Sequence, residues 1–182
     1  SYNVVAFCVD EECLHSDTYS GKPLISFNEI DKKYPFNLFK AFVAIGYSNM
    51  RIRKIMYEKI KKKGYLCINY LSSKASISGN MIIGENNIIL ANSVIEPFVE
   101  IGDNNIIWSS SNICHDVKIF SHCFLASQSL VGGFTIIKDN SFLGFDCTII
   151  QNLIVEKESL IGSNSLLLSN TEQYSKYLGN PA

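Results

Sequence analysis

The sequence predicts a parallel β-helix preceded by a small α/β domain, and three observations carry this prediction. An aliphatic residue recurs at every sixth position from Ile77 to Leu167 without interruption. Turn-forming groups, such as GENN at 84–87 and GDNN at 102–105, lie between these positions. The first seventy residues instead contain short apolar runs and one segment with helical spacing.

The composition indicates a folded protein whose partners are small molecules or other proteins. The 182 residues are 47% hydrophobic, which suits one domain of ordinary size or two small ones. With a net charge of −1 and a pI near 6.3, we expect no nucleic acid polymer and no anionic membrane as a partner. The apolar runs are short, and SYNVVAFCVDEE has acidic residues where a signal peptide needs an apolar stretch. We therefore expect a soluble, cytoplasmic protein without membrane insertion.

Six cysteines are too scattered for a disulfide scaffold, so we expect reduced thiols. The tightest group, Cys8, Cys13 and His15 in CVDEECLH, lacks a second ligand pair at zinc-site spacing. We expect no metal there.

The first seventy residues predict the order strand, loop, strand, helix, strand. The run VVAFCVDEE at 4–12 ends in acids and predicts a buried strand, and KAFVAIG at 40–46 predicts a second strand. GYLCINYLSS at 64–73 predicts a third strand that leads into the repeat.

The segment between the second and third strands predicts a helix that Gly64 ends. Its apolar residues with near-helical spacing are Ile52, Ile55, Met56 and Ile60. We expect the lysines of KIKKK at 59–63 to form a solvated helix face.

From Ile77 onward, each six-residue unit predicts a short strand followed by a corner. A helix would send positions six apart in three directions, whereas in a strand they share one face. Four residues after each aliphatic position the side chain is mostly small, so we expect Cys123 and Cys147 to pack in corners. One unit cannot bury its own aliphatic side chain, but stacked coils can. The sequence therefore predicts a solenoid with an inward ladder of aliphatic residues.

This pattern resembles the left-handed parallel β-helix of the hexapeptide-repeat acyltransferases, in which three hexads form a triangular coil. Sixteen hexads would give a little over five coils. The resemblance alone implies the left-handed sense, because crossovers between parallel strands are usually right-handed.

The whole chain resembles a narrower group, in which a Rossmann-like domain precedes the β-helix. That group includes bacterial N-acetyltransferases of nucleotide-linked 4-amino sugars and sialic acid O-acetyltransferases. The shared features are the VD pair, GKPLIS, the AIG strand end, the repeats and the terminal LGNPA. The resemblance implies an α/β sugar-nucleotide domain at 1–70, a β-helix at 71–170 and a tail at 171–182. Family members open with a first strand and a glycine-rich turn that this sequence lacks, so we expect a truncated sequence or an incomplete nucleotide site.

The resemblance implies acetyl transfer from acetyl-CoA to a nucleotide-linked amino sugar, a 4-amino-4,6-dideoxy sugar above all, for bacterial surface glycans. Transfer from a thioester needs a base for the proton of the nucleophile and a donor for the oxyanion. The family motif of a His followed by an acid falls on His115 and Asp116. Gly133, one coil after His115, would offer its backbone N–H, because glycine lets a ligand approach closely.

The same resemblance implies further binding residues and an assembly. For acetyl-CoA it indicates a channel between the prisms of a homotrimer, and for the nucleotide sugar it indicates residues in the α/β domain. Some relatives have a histidine at the position of Phe124, for which His122 could substitute, but we expect His122 to face solvent. The acetyl-CoA candidates are Phe124, Ala126, Gly133, Gly144, Phe145 and Ser163, and the sugar candidates are Asp10, Glu11, Asn49 and Arg51.

Three alternatives remain open from the sequence. The same site could acetylate a hydroxyl group of a sugar or of sialic acid. A metal lyase on this fold would need three histidine ligands, whereas the repeat contains only His115 and His122. A solenoid that only binds partners would lack affinity for acetyl-CoA.

Overall fold

A computed structural model describes residues 2–182 as a triangular β-helix with an α/β domain packed on one of its faces. The helices are α1 (Ile30–Lys33) and α2 (Met50–Lys62), with 3-10 turns at Glu11–Cys13, Phe27–Glu29 and Tyr47–Asn49. The strands, in chain order, are β1 (Phe7–Val9), β2 (Thr18–Tyr19), β3 (Lys22–Ser26), β4 (Tyr70–Leu71), β5 (Ser76–Ile77), β6 (Ile82–Ile83), β7 (Ile88–Ile89), β8 (Val94–Ile95), β9 (Glu100–Ile101), β10 (Ile106–Ile107), β11 (Asn112–Ile113), β12 (Lys118–Ile119), β13 (Phe124–Leu125), β14 (Leu130–Val131), β15 (Ile136–Ile137), β16 (Phe142–Leu143), β17 (Thr148–Ile149), β18 (Ile154–Val155), β19 (Leu160–Ile161), β20 (Leu166–Leu167) and β21 (Lys176–Tyr177).

Strands β4 to β21 form three parallel sheets, which are the faces of the prism. The first face has the order β21-β19-β16-β13-β10-β7-β4, the second β20-β17-β14-β11-β8-β5 and the third β18-β15-β12-β9-β6. Ile107 pairs with Leu125, eighteen residues later, so three hexads complete one coil. The predicted left-handed parallel β-helix is confirmed. The repeat also extends back by one hexad, since Leu71 of β4 pairs with Ile89.

The second residue of each two-residue strand points into the prism and forms the core. Ile107, Leu125 and Leu143 are completely buried, and their counterparts on the other faces from Ile95 onward are at most 3% exposed. Full burial of such a side chain stabilises the fold by about 1.5–3 kcal/mol. The aliphatic ladder is therefore the main stabilising element of the prism.

The corners repeat one backbone conformation. The third residue after each inward position has a φ between 53° and 64°, from Asn86 to Asn164. This left-handed region is most accessible to Asn and Asp among residues with a side chain, which explains their frequency there. The next residue is buried and mostly small, and Cys123 and Cys147 are both 0% exposed, as predicted.

We name the corners by the faces that they join. The first corner joins the first face to the second and includes residues 108–111, 126–129, 144–147 and 162–165. The second corner joins the second face to the third and includes residues 96–99, 114–117 and 132–135. The third corner leads back to the first face and includes residues 84–87, 102–105, 120–123 and 138–141.

The α/β domain has a mixed sheet in which β1 is parallel to β3, and β2 is antiparallel to β3. The prediction of a buried strand in VVAFCVDEE is wrong in part. Only residues 7–9 form a strand, and Cys8 is exposed because β1 lies at a sheet edge. Of the strand predicted at 64–73, only β4 forms, and it belongs to the first coil of the prism.

The prediction of a strand at 40–46 is also wrong. Side chains, and not a neighbouring strand, form hydrogen bonds with the backbone N–H and C=O groups of this segment. The N–H of Val43 donates to Asn86 Oδ1 at 2.8 Å, and Arg53 Nη1 donates to the carbonyl of Ile45 at 2.7 Å. A single bridge, between Ala41 and Cys67, links the segment to another extended segment.

Helix α2 ends before Gly64 as predicted, with Lys63 at the C-cap and Gly64 at a φ of 87°. Its buried face differs from the prediction and consists of Arg53, Tyr57 and Ile60. Ile52 and Ile55 are 49% and 51% exposed. The helix is rotated because the Arg53 guanidinium lies against the β-helix, where its Nη2 donates to the carbonyl of Asn86 at 2.9 Å.

Three of the four lysines at 59–63 are ion-paired, which corrects the expectation of a merely solvated face. Lys61 pairs with Glu85 at 2.6 Å, and Lys63 pairs with Asp31 at 2.6 Å.

Aromatic residues hold the α/β domain on the first face. The Tyr47 ring stacks on Phe124 with a centroid distance of 4.7 Å, and it meets the edge of Trp108 at 4.7 Å. Ile106 and Phe124, whose side chains point outward from this face, are 3% and 1% exposed. The first face is therefore an internal interface.

The C-terminal residues continue the prism, because β21 pairs with β19 on the first face. Among residues 2–182, no helix combines the length and apolar character needed to cross a bilayer.

Candidate active site

His115 and Asp116 form a hydrogen-bonded pair on the second corner. His115 Nδ1 lies 2.9 Å from Asp116 Oδ2, and the two side chains are 51% and 38% exposed. Consecutive strand residues point to opposite faces, but the φ of 59° at Asp116 turns the chain and brings the two side chains together. The carboxylate accepts from Nδ1–H, which leaves Nε2 as the basic nitrogen of the neutral ring.

Gly133 lies directly against the His115 ring, one coil further along the same corner. A Cβ at residue 133 would lie 2.9 Å from His115 Cε1 and 3.0 Å from Nε2. The neighbouring Gly132 N–H donates to the carbonyl of Ile149, whereas the Gly133 N–H has no hydrogen-bond partner within residues 2–182. A free backbone donor therefore lies beside a general-base candidate.

Glu96 is a member of this cluster that the sequence reasoning missed. Its Oε2 accepts from the backbone N–H of His115 at 2.7 Å. The signal was available, because Glu96 precedes Cys114 by eighteen residues, the length of one coil. Burial, with Glu96 as a second cause, raises the pKa of the Cys114 thiol, which disfavours a thiolate nucleophile.

The acetyl-CoA candidates other than Gly133 lie away from His115. Gly144, Phe145 and Ser163 are on the first corner, and Phe145 is 49% exposed. A Cβ on Gly144 would be 2.5 Å from the backbone nitrogen of Ser163, so this glycine is also required for coil stacking.

Phe124 and Ala126 are 1% and 0% exposed. They pack in a cluster with Trp108 and Met50, under the α/β domain. Both side chains are thus covered within one chain, and their place in the acetyl-CoA channel stays a prediction.

The sugar candidates fall into two clefts near opposite ends of α2. Asp10 and Glu11 line a cleft of about 450 Å³ together with Asn28 and Lys59. Lys59 Nζ is 3.6 Å from Asp10 Oδ1, and Asn28 donates to Glu11 at 3.2 Å.

Asn49 and Arg51 line a second cleft of about 520 Å³, between the start of α2 and the prism. Asn49 Oδ1 caps α2 by accepting from the N–H of Ile52 at 3.0 Å, and Arg51 pairs with Glu158 at 3.4 Å. At a rise of about 1.5 Å per residue, the eight residues from Arg51 to Lys59 separate the two clefts by about 12 Å. The structure does not bring the four residues together.

His122 does not simply face solvent, which corrects the expectation. It lies on the third corner, where its Nδ1 is 2.9 Å from Asn104 Nδ2 and its ring meets the edge of Tyr57 at 5.8 Å. Asn104 Oδ1 accepts from Asn86, so the Asn104 amide donates to Nδ1 and the ring is neutral. Burial, followed by the charge of Lys54, lowers the pKa of His122.

His115 and His122 occupy different corners and share no site. Within residues 2–182, no three His, Cys, Asp or Glu side chains are grouped as a metal site would require.

The repeat, the three-sided prism and the docked domain define a hexapeptide-repeat β-helix protein with an N-terminal α/β domain. Residues 80–113 match the bacterial transferase hexapeptide (six repeats) family. Among curated proteins, the chain is 27% identical over 103 residues to the acyl-[acyl-carrier-protein]–UDP-N-acetylglucosamine O-acyltransferase of Agrobacterium fabrum. That match covers 57% of this chain and 31% of the relative, so the chain spans about a third of the relative's length.

Two solved structures share the complete fold. The acetyltransferase domain of PglB from Neisseria gonorrhoeae superposes with a TM-score of 0.85 at 20% identity, over 99% of this chain and 86% of that chain. A further structure of that domain contains acetyl coenzyme A. PerB from Caulobacter crescentus, in complex with CoA and GDP-perosamine, gives a TM-score of 0.84 at 19% identity, over 98% and 95% of the two chains.

Proposed function

We propose that this protein is an acetyl-CoA-dependent N-acetyltransferase acting on a nucleotide-linked amino sugar, with a 4-amino-4,6-dideoxy sugar as the expected acceptor. The observation that carries the proposal is the juxtaposition of the His115–Asp116 pair with the free N–H of Gly133. The fold supports it, because PglB and PerB share the architecture and were solved with acetyl coenzyme A or with CoA and GDP-perosamine. We infer a role in bacterial surface glycan synthesis.

In the proposed reaction, the neutral amine attacks the thioester carbonyl, and the new C–N bond gives a tetrahedral oxyanion. The Gly133 N–H donates to this oxyanion, a contribution typically worth about 100-fold in rate. His115 Nε2 takes the proton from the attacking nitrogen while Asp116 holds the ring in position. The C–S bond then breaks, and the imidazolium returns the proton to the departing CoA sulfur. The raised pKa of Cys114 supports direct transfer without a covalent enzyme intermediate.

We further propose a homotrimer, because the proposed base and most acetyl-CoA candidates lie on different corners of one chain. His115 lies on the second corner, and Gly144, Phe145 and Ser163 lie on the first. One hexad at about 3.3 Å per residue puts up to about 20 Å between two corners. In a three-fold ring, the second corner of one chain can meet the first corner of its neighbour.

Exposed apolar side chains on the second corner support this assembly. Phe98, Phe134, Ile150 and Leu168 are 38% to 59% exposed and follow one edge of the prism. Light scattering should give three times the 20.4 kDa chain mass, whereas a monomer would contradict the trimer.

For the acceptor, both clefts of the α/β domain stay candidates. Asp10 and Glu11 with Lys59 provide acidic and basic groups for the sugar and the phosphates. Arg51 could bind a phosphate on release from Glu158. We place the reaction in the cytoplasm, which the six free cysteines support.

The direct test is mass spectrometry of reactions between acetyl-CoA and UDP-, dTDP- or GDP-linked amino sugars. We expect one nucleotide sugar to gain one acetyl group in an amide bond. Acetylation of a hydroxyl would favour the alternative, an O-acetyltransferase, which would form an ester bond as the O-acyltransferase of Agrobacterium does. The absence of both products, together with no affinity for acetyl-CoA, would favour a non-catalytic solenoid.

A further inference from the structure

The second corner places a second carboxylate beside the proposed base. Glu96 is half-buried, and its Oε2 accepts from the His115 backbone N–H at 2.7 Å. A hydrogen bond from an N–H to a carboxylate is shorter and stronger than one between neutral groups. Glu96 is therefore held on one side of His115, while Asp116 lies at Nδ1 of the ring.

No described cation neutralises this pair of acids. Within residues 2–182, the side chain of Glu96 has the backbone N–H of His115 as its hydrogen-bond partner. Asp116 pairs with the His115 ring and with no lysine or arginine. The nearest lysine along the chain, Lys118, pairs with Glu100 on the third face at 2.9 Å. The surroundings of His115 are thus anionic.

We propose that Glu96, acting together with Asp116, determines that the acceptor is an amine and not a hydroxyl. This inference rests on the proposed function and names the acceptor class of the same site. An amino sugar arrives as an ammonium ion, which the two carboxylates attract. After one proton has passed to solvent, the neutral amine attacks the thioester and its nitrogen becomes positively charged in the tetrahedral intermediate. A hydroxyl carries no positive charge before attack, so the carboxylates do not favour its binding.

The size of the preference follows from Coulomb's law. A carboxylate about 6 Å from the acceptor nitrogen, at an effective dielectric constant of about 40 for a half-exposed site, changes ammonium binding by about tenfold. Glu96→Gln removes this charge but keeps an oxygen that can accept the His115 N–H. The substitution therefore separates the charge from the architecture.

The test compares two ligands on wild-type protein and three variants. The ligands are a nucleotide-linked 4-amino-4,6-dideoxy sugar and its 4-hydroxy counterpart on the same nucleotide, titrated at pH 7 in the presence of CoA. The variants are Glu96→Gln, the charge-conserving Glu96→Asp, and Glu172→Gln as a control for net charge on the exposed C-terminal segment. We expect Glu96→Gln to weaken binding of the amino sugar by about tenfold and to leave the 4-hydroxy sugar unchanged. The other two variants should keep the preference.

The outcomes distinguish this inference from the proposed function. A Glu96→Gln variant that weakens both ligands equally, or neither, overturns the role of Glu96, even if the wild-type protein acetylates the amino sugar. Preferential acetylation of the 4-hydroxy sugar by the wild-type protein also overturns it. If the wild-type protein transfers acetyl to neither acceptor, the proposed function itself is wrong, and the inference falls with it.

Discussion

Gly133→Ala should reduce turnover strongly while leaving the fold nearly intact. The added Cβ would lie 2.9 Å from His115 Cε1, where ordinary contact begins at 3.4 Å, so the ring must move by about 0.5 Å. The methyl group would also crowd the space in front of the Gly133 N–H. Loss of one oxyanion donor typically costs about 100-fold in kcat, and displacement of a reacting group adds to this. We therefore expect kcat to fall by about 100-fold or more.

The structure predicts a small effect on stability for two reasons. Gly133 does not have a positive φ, so alanine fits its backbone conformation. The crowded neighbour is an imidazole that is half exposed and can rotate. A compatible Gly→Ala change alters the free energy of unfolding by about 1 kcal/mol or less.

Two controls separate catalysis from folding. At Gly132 a Cβ would meet the backbone nitrogen of Gln151 at 2.5 Å, so Gly132→Ala should destabilise the protein by about 1–3 kcal/mol. In a His115→Ala background, the clash between the added methyl group and the imidazole ring disappears. Any remaining loss of turnover on Gly133→Ala then reports on access to the N–H donor of residue 133. CoA thiol release would be measured for turnover and circular dichroism for melting. A Gly133→Ala protein with wild-type turnover would refute the role of this glycine.

Two further predictions concern stability. Arg53→Met should destabilise the docked α/β domain by about 2–4 kcal/mol, because the carbonyls of Ile45 and Asn86 lose their donor. The fluorescence of Trp108 should then change at a lower urea concentration than in the wild type, and unfolding of both proteins at the same urea concentration would contradict this. Because the pKa of His122 is lowered in the folded state, the contribution of His122 to stability should be constant above the unfolded pKa of 6.5 and should fall as the pH drops below it. Urea titrations at several pH values should show this fall in the wild type and not in His122→Asn, and an equal dependence on pH in both proteins would refute the prediction.

The prism was predictable from the sequence because its period is local and unbroken. Each hexad supplies its own inward side chain, from Ile77 to Leu167, and its own small corner residue. The sequence also contained a signal that was not used. The outward residue is apolar in every rung of the first face from Ile88 to Leu160, whereas the third face includes Glu100 and Lys118. Such a stripe predicts that another part of the chain covers this face.

The α/β domain was less predictable because distant residues determine its conformation. The segment at 40–46 is apolar enough for a strand, but its donors and acceptors are satisfied by Asn86, 43 residues from Val43, and by Arg53. A buried arginine is not expected on the inner face of a helix, so the apolar spacing of Ile52 and Ile55 indicated the wrong face.

The candidate base was predictable as a motif, whereas its environment depended on coil stacking. The pairing of His115 with Asp116 requires the left-handed conformation at Asp116, which short-range patterns do not reveal. Glu96 was missed because its role comes from a contact across nineteen residues.

The pH dependence of kcat/KM for wild type and His115→Asn, on the same amino sugar, tests most directly whether His115 is the general base. The variant should keep the fold and acetyl-CoA binding, because asparagine fits an exposed corner side chain. We expect its acetylation rate to fall by about 100-fold or more, and the rising limb that a general base produces in the wild-type profile should disappear. The titration of the acceptor amine should remain in both profiles. A variant with the wild-type rate and profile would contradict the account.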